Sequence, residues 1–281
     1  MKIALITDTH IAANAPDFVA NCDAAIDWIN RSEAELVIHL GDITADGIEA
    51  LEQIDTARAV LARIAPPLLC LPGNHDIGDN PVPDVSSTHK PFDRSMLARF
   101  REAFGADRWR HRANGWTLLG LNAELFGTGS DEEQAQAAWL EAVLSDVRGP
   151  IGLFLHKPWF RYGLADTERH SRYVPIEVRL ALAASLAVHD LRFVASGHTH
   201  QWREHRVDGI DHYWVPSTAF VVPDAMQEWI GTKLVGLGML TLDHAGHRFD
   251  YVQVSGVRRL DLGDYADLFP KVRAAISGGA S

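Results

Sequence analysis

Short apolar runs that stop at polar residues alternate with amphipathic stretches along this chain. Residues 2–8 carry Ile3-Ala4-Leu5-Ile6, too short for a helix and bounded by polar positions, and read as a buried strand ending at Asp8. Phe18, Cys22, Ala25, Ile26 and Ile29 then fall on one helical face. Leu36-Val37-Ile38-His39-Leu40 reads as a second buried strand, ending at Gly41-Asp42. Ile48 to Ile64 reads as a helix that Pro66-Pro67 stops, and Leu68 to Leu71 as a third strand closed by Pro72-Gly73. This strand-helix alternation predicts parallel pairing with right-handed crossovers. In such sheets ligand sites lie beyond the carboxyl ends of the strands.

From Ile77 to Arg112 the pattern loosens into a loop-like run, Asp79 to Asp84, and a short helix over Phe92 to Phe104. Trp116 to Leu121 reads as a strand ending at Asn122, Asp131 to Ser145 as a helix, and Ile151 to Leu155 as a strand ending on His156. Residues 158–178 are aromatic and basic without periodicity, so loop is expected, followed by a helix near 178–188 and a strand near 191–195. Beyond Gly197-His198-Thr199-His200, segments 203–207, 211–215, 234–242 and 248–254 read as strands and suggest an antiparallel second sheet. The tail Ser277 to Ser281 is expected to fray. One domain over 1–255 is expected, with excursions 77–112 and 158–178 shaping its pocket and a C-terminal extension over 256–281.

Composition narrows the class. Apolar residues at 47% and charged residues at 22% are globular values, and 281 residues leave room for a sizeable core. The formal charge of -11 opposes nonspecific binding to a nucleic-acid polymer or an anionic membrane, so neither partner is expected. No apolar run reaches bilayer length and no leader with a cleavage site precedes the first strand, so no membrane span and a cytoplasmic location are expected. Cys22 and Cys70 suit a reducing compartment rather than a disulfide scaffold.

Five polar clusters occur in order: Asp8-Thr9-His10, Gly41-Asp42, Gly73-Asn74-His75-Asp76, His156 and Gly197-His198-Thr199-His200. At least four directly follow predicted strands. Asp8, Asp42, Asn74, His10, His156, His198 and His200 are the oxygen and nitrogen donors that hard or borderline divalent cations take. Seven candidates exceed the needs of one tetrahedral ion, and a carboxylate such as Asp42 can bridge two. Two ions roughly 3.5 to 4 Å apart can clamp the attacking and leaving oxygens of a phosphoryl displacement.

The ordered set D-x-H, G-D, G-N-H-D, H and G-H-x-H resembles the calcineurin-like metallophosphoesterase superfamily over residues 1 to about 220. That resemblance implies a four-layer α/β/β/α sandwich, two mixed β-sheets flanked by helices, around a dinuclear centre. It assigns Asp8, His10 and His200 to one ion, Asn74, His156 and His198 to the other, and Asp42 to the bridge. His75 becomes the catalytic histidine, contacting phosphate and protonating the leaving group, with Asp76 orienting it. Purple acid phosphatases of the same superfamily place a metal-binding Tyr where Ala45 stands, so a divalent pair (Mn, Fe(II), Co or Zn) is expected instead of ferric iron. Asp8 to His10, Gly41-Asp42 through Gly47, Gln134 and Trp139-Leu140 are similar to the bacterial cyclic-nucleotide and glycerophosphodiester phosphodiesterases.

The expected activity is hydrolysis of a small-molecule phosphodiester by in-line attack of metal-bound hydroxide. A phosphomonoesterase or nucleotide pyrophosphohydrolase is the nearest alternative, and a noncatalytic scaffold on the same fold is another. Asn122, Arg161, His170 and Arg172 are candidate substrate contacts, and Glu124 a candidate for a supporting or pocket role. His39 reads as a core histidine, while His205, His212 and His247 read as surface. Trp159, Phe160, Trp202, Trp214 and Phe220 read as core rather than as a stacking platform. A homodimer is mildly favoured, through the 77–112 excursion and the C-terminal strands.

Overall fold

A computed structural model describes residues 1–82, 90–244 and 246–278. The first parallel unit is β1 (Lys2–Ile6), α1 (Pro16–Arg31), β2 (Leu36–His39), α2 (Glu52–Leu61) and β3 (Leu68–Cys70), with α3 (Asn74–Ile77) directly after it. Pro16 stands in the first turn of α1, where its missing N–H costs no helical bond, and the buried face of α1 is the predicted one. Next come α4 (Arg94–Phe104), β4 (Trp109–Ala113), β5 (Trp116–Gly120), α5 (Asp131–Asp146) and β6 (Pro150–Leu155). Asp93 and Ser130 cap α4 and α5, each side chain accepting from first-turn N–H groups. The remaining elements are α6 (Ile176–Leu186), β7 (Asp190–Ser196), β8 (Arg203–Val207), β9 (Ile210–Trp214), β10 (Phe220–Val221), β11 (Leu237–Leu242), β12 (His247–Val252), β13 (Leu260–Asp261) and α7 (Pro270–Gly278).

Two mixed sheets result, in the orders β12-β11-β1-β2-β3 and β4-β5-β6-β7-β9-β8. Alternation along the strands builds the layers. Ile3 and Leu5 of β1 and Leu36 and Ile38 of β2 meet Leu118, Phe154, Phe193 and Tyr213 in a core between the sheets. Ala4, Ile6 and Val37 turn the other way and pack with Cys22, Ile26 and Phe100 of the helices on the first sheet. Leu119, Leu153 and Val194 do the same with Leu140, Leu144 and Leu182 on the second. The expected four-layer sandwich is the fold, and no helix among the described residues is long and apolar enough to cross a membrane.

The C-terminal strands depart from expectation. They do not form an antiparallel second sheet of their own. The β11-β12 hairpin extends the first sheet antiparallel to β1, and β9 joins the second sheet parallel to β7 with β8 at its edge. Each hairpin covers an open edge of a sheet begun by the earlier strands, which local periodicity does not encode. The 77–112 excursion also contains an unpredicted strand, β4, whose alternate polar residues face solvent. Pro83 and Asp84 of the predicted 79–84 loop, and residues 279–281 of the expected frayed tail, lie outside the described residues. The 256–278 segment packs back on α1: Arg258 pairs with Asp17, and Phe269 and Tyr265 stack on Phe18.

Candidate metal centre

β1, β2, β3, β6 and β7 are parallel within their sheets, and the segments after their carboxyl ends converge at one place. Asp8, His10 and His200 form one group of ligand atoms within 4.8 Å of one another, and Asp42, His156 and His198 form another. His10, Asp42 and His75 form a third that links them. His156 Nε2 lies 3.3 Å from Asn74 Oδ1, which brings the seventh candidate to the second group. All seven predicted ligands and His75 therefore meet, although they come from five separate segments.

Asp42 sits at the junction. Its Oδ1 accepts from His75 N at 2.9 Å, while Oδ2 lies 3.3 Å from His156 Nε2 and 4.0 Å from both His10 Nε2 and His75 Nε2. Asp8 is divided similarly. Its Oδ2 accepts from Thr7 Oγ1 and His198 N, whereas Oδ1 is buried without a hydrogen-bond partner and lies 3.3 Å from His200 Nε2. His156 Nδ1 donates to Leu40 O at 2.9 Å and His200 Nδ1 to Phe220 O at 3.0 Å, so each ring presents Nε2 inward.

Ring nitrogens converge on one another, at 3.2 Å for His10 and His200 and 3.1 Å for His156 and His198. Nitrogens brought this close, together with the unpartnered Asp8 oxygen, fit a cation held between them. Burial first, then the neighbouring histidines, hold His10 and His198 well below the usual imidazole range. Burial alone would also depress His156, but the Asp42 carboxylate overrides it and lifts His156 to about 10. Burial likewise opposes ionisation of Asp42, and the surrounding imidazoles still hold it well below the ordinary carboxylate range. The donor set draws positive charge inward, and divalent ions would meet that demand without protonating a ligand.

The backbone is bent to make this possible. Asp8, His10, Asp42, His198 and His200 all take positive φ, between 44° and 64°, which non-glycine residues rarely adopt. Two glycines serve the close approach of the turns. A Cβ on Gly73 would lie 2.2 Å from Asp42 Oδ1, and one on Gly197 would lie 2.0 Å from Thr7 Oγ1 and 2.7 Å from Asp8 Oδ2.

Around the donors lie contacts that the sequence did not reveal. Buried His39 accepts from Gly41 N through Nδ1, so its Nε2–H faces Thr9 Oγ1 at 3.0 Å, and Thr9 donates to Ile43 O; this chain ties together the turns after β1 and β2. Asp76 has a different position from the one expected. Its carboxylate accepts from Ile43 N, Thr44 N, Thr44 Oγ1 and Gly73 N, and His75 Nδ1 meets Ala45 O at 2.6 Å. Asp76 thus ties down the turn before Ala45, whose carbonyl meets His75. Phe220 packs on His10 and His200, with ring centroids 4.8 and 4.7 Å away, which bears out its reading as packing.

The candidate substrate contacts separate. Asn122 is buried, with its side chain donating to Asp107 and its backbone paired with Gln136. Arg161 pairs with Glu168 and Glu228, and His170 Nδ1 accepts from Arg172 N. The Arg172 guanidinium has no hydrogen bond or ion pair among the described residues, and its charge helps depress His198. His212, expected at the surface, is buried between Phe160 and Trp159, where inward-facing positions of β9 meet the loop after β6. His205 and His247 are partly buried, because His205 pairs across from His212 and His247 lies against Phe193.

The family model for calcineurin-like phosphoesterases matches residues 1–202. A probable cyclic nucleotide phosphodiesterase of Psychrobacter arcticus is 24% identical over 233 residues, covering 78% of this chain and 81% of that protein. A dimetal phosphatase from Danio rerio superposes with a TM-score of 0.63 at 16% identity, covering 91% of this chain and 99% of the other. Yellow lupin purple acid phosphatase does so with a TM-score of 0.66 at 15% identity, over 93% of this chain and 52% of the other. At these identities the two solved structures show a shared fold.

Proposed function

This chain belongs to the calcineurin-like phosphoesterase family, a metal-dependent phosphoester hydrolase by that membership, and we propose that it hydrolyses a small-molecule phosphodiester at a centre of two divalent ions. The observation that carries the two-ion reading is the placement of Asp42 Oδ2 between the two donor groups. Asp8, His10 and His200 would hold one ion, Asn74, His156 and His198 the other, and Asp42 both. When bound, the ions supply charge stabilisation for the phosphoryl oxygens and lower the pKa of water.

The chain's own groups do the rest. With Nδ1 held by Ala45 O, His75 turns Nε2 toward Asp42 Oδ2 and, like His198, is only partly buried, whereas His10, His156 and His200 are buried. From there it contacts phosphate and delivers a proton to the leaving-group oxygen. Arg172, free of any carboxylate among the described residues, holds a phosphate oxygen. The neighbouring Arg161 is neutralised by Glu168 and Glu228, which leaves one uncompensated guanidinium on this loop and suits a singly charged diester better than a doubly charged monoester. The similarity to a probable cyclic nucleotide phosphodiesterase supports the same choice.

The test is hydrolysis of bis(p-nitrophenyl) phosphate against p-nitrophenyl phosphate, using chelator-treated protein reloaded separately with Mn, Co, Zn and Fe(II). A higher kcat/KM for the diester is expected. Preference for the monoester would move the phosphomonoesterase reading ahead, and silence on both by protein holding two ions would favour a noncatalytic scaffold.

A further inference from the structure

A second cluster of charge lies beside the metal centre. Lys157, the residue after His156, is completely buried, and its ammonium donates to Asp79 and to Asn80 Oδ1. It also pairs with Glu124 at 3.2 Å. Glu124 is completely buried and Asp79 and Asn80 nearly so. Glu124 Oε2 accepts from Asn80 N, Asn80 Nδ2 donates to Phe126 O, and Glu124 Oε1 has no hydrogen-bond partner. Buried charges are costly to desolvate, and replacing such a set by neutral groups is often no worse for stability. A role other than stability is therefore worth seeking in the placement of this one.

That placement is specific. Asp79 and Asn80 continue the turn that begins at Asn74, Glu124 follows β5, and Lys157 follows His156 at the end of β6. The cluster thus joins the first sheet to the second directly beside Asn74 and His156, whose donor atoms stand 3.3 Å apart. The turns bearing Asp8, His10 and His200 have separate ties, Ser217 Oγ to Asp8 O and His200 Nδ1 to Phe220 O.

We propose that Lys157, with Asp79, Asn80 and Glu124, is a positioning device for one of the two ions, fixing the separation of Asn74 and His156 without touching the ion or the substrate. The claim rests on the two-ion reading of the site. Lys157 could not instead be a phosphate ligand, because it is fully buried and its ammonium is already held by three partners.

The test compares Lys157→Met with Lys157→Met/Asp79→Asn/Glu124→Gln, which removes the three charges together. Mn content and binding isotherms are measured on the full chain, with folding followed by circular dichroism and His156→Ala identifying the binding step of the affected ion. In whichever variant folds, that step is expected to weaken by about tenfold or more while the other stays within roughly twofold of wild type. Folded variants that bind both ions with wild-type affinity, or lose both to the same degree, would overturn the proposal. So would failure of both variants to fold, which would make the cluster a folding element. Wild-type protein that binds fewer than two ions would instead refute the two-ion reading, so the two failures are distinguishable.

Discussion

Asp42 divides its two carboxylate oxygens between the backbone and the ring nitrogens of the two donor groups, and that division makes it the most consequential residue of the proposed site. Asp42→Asn keeps the shape but replaces an anionic oxygen with an amide. Calorimetry with Mn should show affinity for both ions falling by more than the roughly 10- to 100-fold that loss of an outer partner costs; unchanged affinity would remove Asp42 from the bridge. His75→Ala should leave metal content intact and lower kcat by about 10²- to 10⁴-fold, the range expected for loss of an acid–base group. A parallel loss of ions would make His75 a ligand. Both residues are legible from the sequence because carboxylate, amide and imidazole groups follow apolar runs in a fixed order. The orienting Ala45 carbonyl and the Thr9–His39 chain are not, since a backbone oxygen leaves no trace in a side-chain pattern and His39 is one more polar interruption of a strand. Burial of both thiols pushes Cys22 up to about 12 and Cys70 still higher, so neither should react with a thiol reagent at pH 8 until the protein is denatured.

Elements set the directions in which these residues point. Five of the predicted ligands take a left-handed backbone, a property of turns squeezed between adjacent strand ends that no residue-type pattern in Asp8-Thr9-His10 or Gly197-His198-Thr199-His200 announces. The glycines of those turns are more readable in hindsight, because Gly73 and Gly197 are where main chain passes against Asp42 and Asp8. Gly73→Ala would drive a methyl into the Asp42 carboxylate. It should cost about 1–3 kcal/mol, read as a lowered denaturation midpoint, and weaken metal binding as well. A variant with wild-type stability and metal content would show that the turn relaxes freely. The strands that the sequence predicts have ends within a few residues of those observed, whereas β4, β10 and β13 are not predicted. The partners of β9 and β11 were not legible, since each completes a sheet whose other strands are distant in sequence.

At the scale of the whole molecule, charge buried in neutral form should govern acid stability. His39 and His212 are each depressed to about 3 and His205 to about 4, in every case first by burial. Their unfolded pKa lies near 6.5, so the stability they contribute is present above that pH and is lost as pH falls toward 4 and 3. The melting temperature of ion-free protein should accordingly drop across this window. His212→Phe, which fills the same apolar site without a titrating nitrogen, should flatten the drop; an unchanged slope would show that His212 is not held neutral. The four-layer architecture was legible through the family resemblance that the ordered motifs carry, whereas periodicity alone predicts a separate antiparallel sheet from the late strands. The aromatic surroundings of His212 were not legible, because Phe160 reaches it from a loop without periodicity.

All of these scales meet in the proposed pair of ions, which Asp42 would bridge. Electron paramagnetic resonance of protein loaded with two Mn(II) per chain tests that claim most directly, because ions bridged through Asp42 Oδ2 must be magnetically coupled. A coupled spectrum in wild type that gives way to isolated Mn(II) in Asp42→Asn is the result predicted. Two Mn(II) bound per wild-type chain with no coupling between them would contradict it.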